Sequence, residues 1–323
     1  MTVGWINNEF IKGLVSVIIP TYNRSNLLSE AIHSVISQSY RPIECIIVDD
    51  GSIDNTKDIY NNVVDYIDDQ FSIKYIYQIN SGVQVARNIG TIASSGEFIQ
   101  YLDSDDLLMT DKLLIQVDYL NNHTICDGVF GDWQVGTLVN YKVIIAHKED
   151  DLITQFLTGC CISNFSFLMR RNIIAKIGCW DIGINRNQEI DFQLQGLLIG
   201  ARYDYLSLMC GFWRFHKNDR ISINTGLKET IIFFEKWETV LSKNMLLTPI
   251  LCKRLANLYW WLFTQNKFDD KDLLLKLLKK LVIFDPAFHL FTFTRFKLLS
   301  NILGYYFCLR ISFYRLRVIY FQK

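Results

Sequence analysis

From Leu14 to Leu102, short apolar runs alternate with longer amphipathic ones, and this alternation restricts the chain more than any other feature. Leu14-Val15-Ser16-Val17-Ile18-Ile19 reads as a strand stopped by Pro20, because proline fixes φ and carries no N–H. Asn26 to Ser39 has apolar residues at 27, 28, 31, 32, 35 and 36, one face of a helix, with Ser25 as the expected N-cap. Ile43 to Val48 is a second buried strand, Asn55 to Ile67 a second helix and Ser72 to Tyr77 a third strand. Val83 to Ser94 is a third helix and Phe98 to Leu102 a fourth strand. This β-α-β-α-β-α-β order predicts an α/β fold with a mostly parallel central sheet and helices on both faces. Continuous Val/Ile strands fit burial on both sides.

Polar residues collect where those strands end: Thr21-Tyr22-Asn23-Arg24, Asp49-Asp50, Asn80-Ser81 and Asp103-Ser104-Asp105-Asp106. Open α/β sheets bind ligands at that edge. The last group packs three carboxylates into four residues, which is costly because like charges oppose each other's ionisation. A divalent cation removes the cost. Asp103 and Asp105, two apart, point the same way on extended chain. Few hard oxygen ligands suit Mg²⁺ or Mn²⁺ that also holds a phosphate-bearing substrate.

A length of 323 residues allows one large α/β domain and a smaller appendage. Net charge is +0 but uneven: residues 1–220 hold 17 Lys+Arg against 26 Asp+Glu, and residues 221–323 hold 16 against 7. The expected division is a larger α/β domain over 1–225 and a helical, basic and aromatic region over 226–323, where apolar residues recur every three or four. Between the two parts, a helix is expected at about 110–120, strand-like pieces at 126–146 and a helix near 150–157. The 8 cysteines form no Cys-x-x-Cys pair and several lie in apolar runs, so they read as reduced thiols of a cytosolic protein. No signal peptide is visible. The longest uncharged tail stretch, Leu298 to Leu309, is 12 residues against the roughly 20 needed to span a bilayer.

Four segments together resemble the family-2 glycosyltransferases, nucleotide-sugar enzymes of the GT-A fold. They are Val15 to Arg24, Ile46 to Thr56, Gly82 to Gly90, and Gly96 to Asp106. Each alone is a weak signal; all four in this order are specific. The likeness is close over about residues 14–106 and loose over 107–216, and residues 227–323 lie outside it.

The resemblance implies site roles. Pro20, Thr21 and Tyr22 form the base-side wall of a nucleotide pocket, with Tyr22 against the base. Arg24 lies near the nucleotide, and Asp50 or its neighbour Asp49 accepts from the base N–H. Arg87 reaches the donor, Asp103 and Ser104 lie toward the ribose, and Asp105 ligates the metal, with Asp106 supporting the next element. Gly178-Cys179-Trp180-Asp181 resembles a family turn, and Asn187 to Leu194 resembles the acidic pair under the acceptor site. Glu189 then takes the place of the catalytic base, where many relatives carry Asp, with Asp191 as the alternative. Trp213-Arg214-Phe215-His216 resembles a late Arg-x-His element, making His216 a metal or diphosphate ligand and Arg214 a phosphate partner. The segment 158–164 borders the acceptor cavity.

The expected activity is metal-dependent, inverting transfer of a sugar from a nucleotide-diphosphate donor to a hydroxyl acceptor, with Mn²⁺ or Mg²⁺ as cofactor. UDP is the default carrier, and the acceptor is a glycan or lipid-linked saccharide in cell-surface polysaccharide synthesis. The alternatives are a nucleotidyltransferase, for which Pro20 to Arg24 supplies no Gly-rich phosphate loop, and a non-catalytic nucleotide-sugar-binding or scaffold protein. Residues 284–323 hold twelve aromatics and, after Asp285, six Lys+Arg and no acid. That pattern suits peripheral contact with an anionic membrane; nucleic acid is not expected as a partner, given the acidic first part. A cytoplasmic location is expected, because a glycan on the Asn23-Arg24-Ser25 sequon would block the nucleotide pocket.

Overall fold

The computed structural model describes residues 6, 9–137, 139–159, 162–215, 226–265 and 271–286. Its elements follow the expected alternation: β1 Ile11–Thr21, α1 Ser25–Ile36, β2 Ile43–Asp49, α2 Thr56–Val63, β3 Phe71–Tyr77, α3 Val83–Ala93 and β4 Gly96–Tyr101. Then come β5 Asp106–Leu108, α4 Lys112–Asn122, β6 Gly128–Thr137, β7 Asn140–Ile144, α5 Leu152–Thr158, β8 Leu168–Arg170, α6 Arg171–Ile177, α7 Gln188–Leu198 and β9 Tyr203–Arg214. Three helices follow: α8 Leu227–Lys243, α9 Pro249–Gln265 and α10 Lys271–Phe284.

Among the described residues nine strands form one sheet in the order β3-β2-β1-β4-β8-β6-β9-β5, with β7 paired to β6. The first four are parallel neighbours, as the β-α-β pattern requires. Beyond β4 the sheet is mixed: β8 is antiparallel to both β4 and β6, β6 runs parallel to β9, and β5 and β7 are antiparallel additions. The parallel character is therefore confined to the first half, together with the β6–β9 pair.

Pro20 does not stop β1. The ladder to β2 continues through Pro20↔Val48 and Thr21↔Asp49, whereas the ladder to β4 stops at Ile18↔Tyr101. Ile18 O accepts from Leu102 N, so by two-residue alternation the Pro20 nitrogen also faces β4. Its missing donor ends pairing where β4 leaves for the acidic loop. The N-cap of α1 also differs from expectation. The capping residue is Arg24, with no side-chain cap bond of its own, and the Ser25 N–H donates to the Asp54 carboxylate at 3.0 Å. That acceptor comes from the next β-α loop.

The core is continuous through Val15, Val17, Ile18, Ile19, Ile46, Ile47, Val48, Phe98 and Ile99, all fully buried. Helix α3 seats on β1 and β2 through Gly90, where an added Cβ would lie 2.4 Å from Ile18 Cγ2 and 3.2 Å from Val48 Cγ2. The chain divides into two compact units, Met1–Arg254 and Leu255–Lys323. Helix α8 belongs to the first. In the second, Leu274, Leu277, Leu278 and Leu281 are buried, and the rings of Tyr259 and Phe284 stack at 6.1 Å. Among the described residues no helix is long and apolar enough to cross a membrane.

Candidate active site

Strand β1 connects to β2 on one side, while β4 lies on the other, so the sheet order reverses between β1 and β4. That switch point is where an open α/β sheet leaves a crevice at its carboxyl edge. Its two lips are Thr21–Arg24 after β1 and Asp103–Asp106 after β4. They meet in an ion pair, Arg24 Nη1 to Asp105 Oδ2 at 2.8 Å.

The β1 lip is pinned to the turn after β2. Asn23, at φ 50°, donates its N–H to Ser52 Oγ at 2.9 Å and accepts from Ile53 N at 2.8 Å. Pro20 and Thr21 are buried, and Tyr22 is 46% exposed, with its ring beside this turn in sequence and open to solvent. Gly51, at φ 85°, lets the turn approach the β3–α3 loop; a Cβ there would lie 2.8 Å from Asn80 N.

The paired aspartates do different things. Asp49 is buried and accepts from Ser52 N at 2.8 Å and from the Tyr75 hydroxyl at 2.5 Å. Asp50 accepts from Gln78 Nε2 at 2.6 Å, Ser81 N at 2.7 Å and Gly82 N at 2.9 Å. Asp50 thereby shapes the loop that launches α3, and α3 carries Arg87.

Arg87 is the hub. Its Nη2 donates to Asp103 Oδ1 at 2.7 Å and Glu189 Oε1 at 3.3 Å, and its Nη1 donates to Gln188 Oε1 at 3.0 Å. The guanidinium lies 4.5 Å from the Trp180 ring centroid, and Trp180 stacks on Phe192 at 4.4 Å. Burial disfavours the Arg87 cation, but Asp103 and Glu189 outweigh it and hold the group charged. One buried side chain thus joins the β4 loop to the first turn of α7.

Asp103 and Glu189 are part-exposed, at 30% and 25%, and Asp105 at 13%; Ser104 and Asp106 are buried. Burial, then the neighbouring Asp105 and Asp103 charges, raises the Asp106 carboxyl well above the usual range; Arg214 N donates to it at 3.3 Å. Among the described residues no three His, Cys, Asp or Glu side chains gather as a metal cluster.

Asp191, two residues past Glu189, faces elsewhere. Its carboxylate is 2% exposed and accepts from Lys236 Nζ at 2.6 Å, Trp237 Nε1 at 2.9 Å and Gln195 Nε2 at 2.6 Å. Arg214 is likewise committed within the fold. Its Nε donates to Asp105 O at 2.5 Å, its Nη1 pairs with Glu30 Oε2 at 2.6 Å, and its Nη2 donates to Leu27 O at 3.1 Å. These contacts tie β9 and α1 to the acidic loop. His216, and Cys160 and Cys161 of the 158–164 segment, lie outside the described residues. Gln188, Lys236 and Trp237 were not singled out from the sequence. Gln188 adjoins Glu189 in a recognisable segment, whereas Lys236 and Trp237 sit in an ordinary amphipathic helix without a motif.

The family model for glycosyl transferase family 2 matches residues 16–178. An uncharacterized glycosyltransferase of Haemophilus influenzae is 41% identical over 168 residues, covering 51% of this chain and 65% of the relative. A Bacillus subtilis glycosyltransferase named for teichuronic acid biosynthesis, TuaG, is 41% identical over 156 residues, covering 46% of this chain and 60% of the relative. The chain thus spans less than two thirds of either relative. Among solved structures, Staphylococcus aureus TarS in complex with UDP-GlcNAc aligns with TM-score 0.55 and 17% identity, over 84% of this chain and 73% of that one. The mannosyltransferase PcManGT of Pyrobaculum calidifontis, in complex with GDP-Man and Mn²⁺, aligns with TM-score 0.52 and 14% identity, over 92% and 80%. These two likenesses establish the GT-A fold.

Proposed function

From the premise that this chain belongs to glycosyltransferase family 2 and is a glycosyltransferase, we propose that it transfers a sugar from a UDP-sugar, with inversion, to a hydroxyl of a glycan or lipid-linked saccharide. The observation that carries the reading is Arg87 held between Asp103 and Glu189. It brings a donor-side carboxylate and a candidate base onto one buried cation at the switch point.

In this reading Tyr22 lies against the base, and Asp50, buried and engaged by three donors, holds the neighbouring loop in place beside it. Asp103, with Ser104 behind it, faces the ribose, and Asp105 faces the diphosphate. The donor set offered by Asp103 and Asp105 is all hard carboxylate oxygen, which fits Mn²⁺ or Mg²⁺ sharing its coordination with phosphate. Asp103 and Asp105 would hold that cation, which would supply countercharge for the leaving diphosphate. Arg24 and Arg87 are the protein's own countercharges at the same place. Glu189 Oε takes the acceptor hydroxyl proton as that oxygen attacks the anomeric carbon. The new C–O bond forms as the C–O bond to the diphosphate breaks, and the electron pair leaves with the nucleotide. Asp191, saturated by three donors, serves the fold of α7.

Two variants test this. Asp105→Ala should stay folded yet lose both turnover and Mn²⁺-dependent UDP binding in calorimetry. Glu189→Gln, nearly isosteric, should keep UDP affinity while UDP release from the donor falls roughly 10²-fold or more. Wild-type turnover by Asp105→Ala would sink the reading. The tail from 287 onward, which lies outside the described residues, would hold the enzyme at the cytoplasmic face of an anionic membrane, where a lipid-linked acceptor is available.

A further inference from the structure

Asp191 poses a physical question. A carboxylate 2% exposed is strongly unfavourable unless it is paired and hydrogen-bonded. The pairing comes from α8, 45 residues further along the chain. Lys236 Nζ reaches Asp191 Oδ1 at 2.6 Å and also Asp181 Oδ2 at 2.8 Å. Trp237 Nε1 adds 2.9 Å to the same Asp191 oxygen.

The two carboxylates belong to the two segments that cradle Arg87. Asp181 follows Trp180, whose ring carries the Arg87 guanidinium and whose backbone is bracketed by Asn88 at 2.8 and 3.2 Å. Asp191 lies one position before Phe192, which stacks on Trp180, and two after Glu189. One ammonium therefore ties the Trp180 turn to the first turn of α7. Arg87 ties the same two pieces through Trp180, Gln188 and Glu189. Residues 187 to 192 are held between two cations, and Asn187 enters the helix at φ 57°, a conformation that needs support from its surroundings.

We propose that Lys236 and Trp237 are positioning residues for Glu189: by fixing Asp191 and Asp181 they set the distance of the Glu189 carboxylate from Arg87 and from the acceptor oxygen. The proposal rests on the transferase reading and on Glu189 as its base. Trp237 is buried, and the Lys236 ammonium is taken up by the two carboxylates. A displaced first turn would move Glu189 first and most, because Asp49, Asp50 and the Arg24–Asp105 pair are anchored without α7. Misplacement by about 1 Å is enough to cost up to ~10²-fold in rate.

The experiment uses the full chain. UDP release is followed with whichever UDP-sugar of a panel the wild type cleaves fastest, and UDP affinity is measured with Mn²⁺. Lys236→Met keeps the aliphatic stem and removes the charge. It should lower kcat roughly 10- to 100-fold while donor KM and UDP affinity stay within about twofold. Lys236→Arg, which restores a cation, should recover most of the rate. Trp237→Phe removes one N–H donor and should show the same split more weakly; it decides the question if Lys236→Met does not fold. If Glu189→Gln is inactive while folded Lys236→Met and Trp237→Phe turn over at the wild-type rate, the positioning role is overturned and the base assignment stands. Equal losses of kcat and UDP affinity in a folded variant also overturn it. If Glu189→Gln itself is as active as wild type, or the wild type cleaves no UDP-sugar, the functional reading fails first.

Discussion

Lys112 is the residue whose chemistry is least like its setting. It is fully buried at the start of α4, donating to Gln100 Oε1 and, at 3.3 Å, to Phe167 O. No carboxylate pairs with it among these contacts, and burial pulls its pKa down to about 7, against a smaller opposing effect of Cys210. The folded protein therefore binds fewer protons than the unfolded chain between pH ~7 and ~10.4, and stability from this residue rises with pH across that window. Below about pH 7 both states carry the charge and the dependence vanishes. Cys45, Cys210 and Tyr101 work the other way. Burial pushes each to about 12, so stability is lost as pH climbs past their ordinary values. The clean measurement is a difference. Urea unfolding of wild type and Lys112→Met from pH 6.5 to 8.5 should show the wild type gaining about 2 kcal/mol relative to the variant. A constant difference across that range would show that the lysine stays charged in the fold.

Helix α3 shows how an element delivers a residue. Gly90 lets it seat on Ile18 and Val48, and Arg87 sits one turn earlier. Gly90→Ala should lower stability by about 1–3 kcal/mol, because the new methyl meets fully buried, branched side chains. A thermal melt checks this, and an unchanged Tm would mean that α3 can shift without cost. The strands of the first half were legible because buried parallel strands leave continuous Val/Ile runs. The capping of α1 was not: Asp54 is 29 residues from Ser25 and no local pattern connects them. Neither was β8, three residues long, whose place between β4 and β6 depends on partners rather than on its own sequence. Asp103, Asp105, Arg87 and Glu189 were legible as motif residues, and the structure adds that Arg87 gathers two of them. The burial of Arg214 against Glu30 was not, because an Arg near an acidic loop reads equally as a phosphate partner or as a clamp.

At the scale of the molecule, two properties can be read without knowing the substrate. Cys45, Cys126, Cys179, Cys210 and Cys252 are free thiols, the first, second and fourth of them buried. Ellman titration should find those three unreactive in the native protein and all 8 cysteines of the chain reactive once it is denatured without reductant. A shortfall after denaturation would count against the free-thiol reading. Full-length protein should also bind anionic liposomes at low salt and release them at high salt, while the chain shortened to residue 286 stays in solution with its UDP binding intact. Binding that ignores salt, or none at all, would remove the membrane role from the tail. The pairing of Asp191 with Lys236 bears on synthesis as well. The chain acquires Glu189 and Asp191 while α8 is still unmade, and a buried carboxylate without its cation is strongly unfavourable. The nascent protein can complete its sheet and every acidic residue of the crevice and still lack a settled α7. Competence should appear abruptly, when residue 237 clears the ribosome, so a fragment ending between β9 and α8 carries the acidic residues of the crevice without the enzyme.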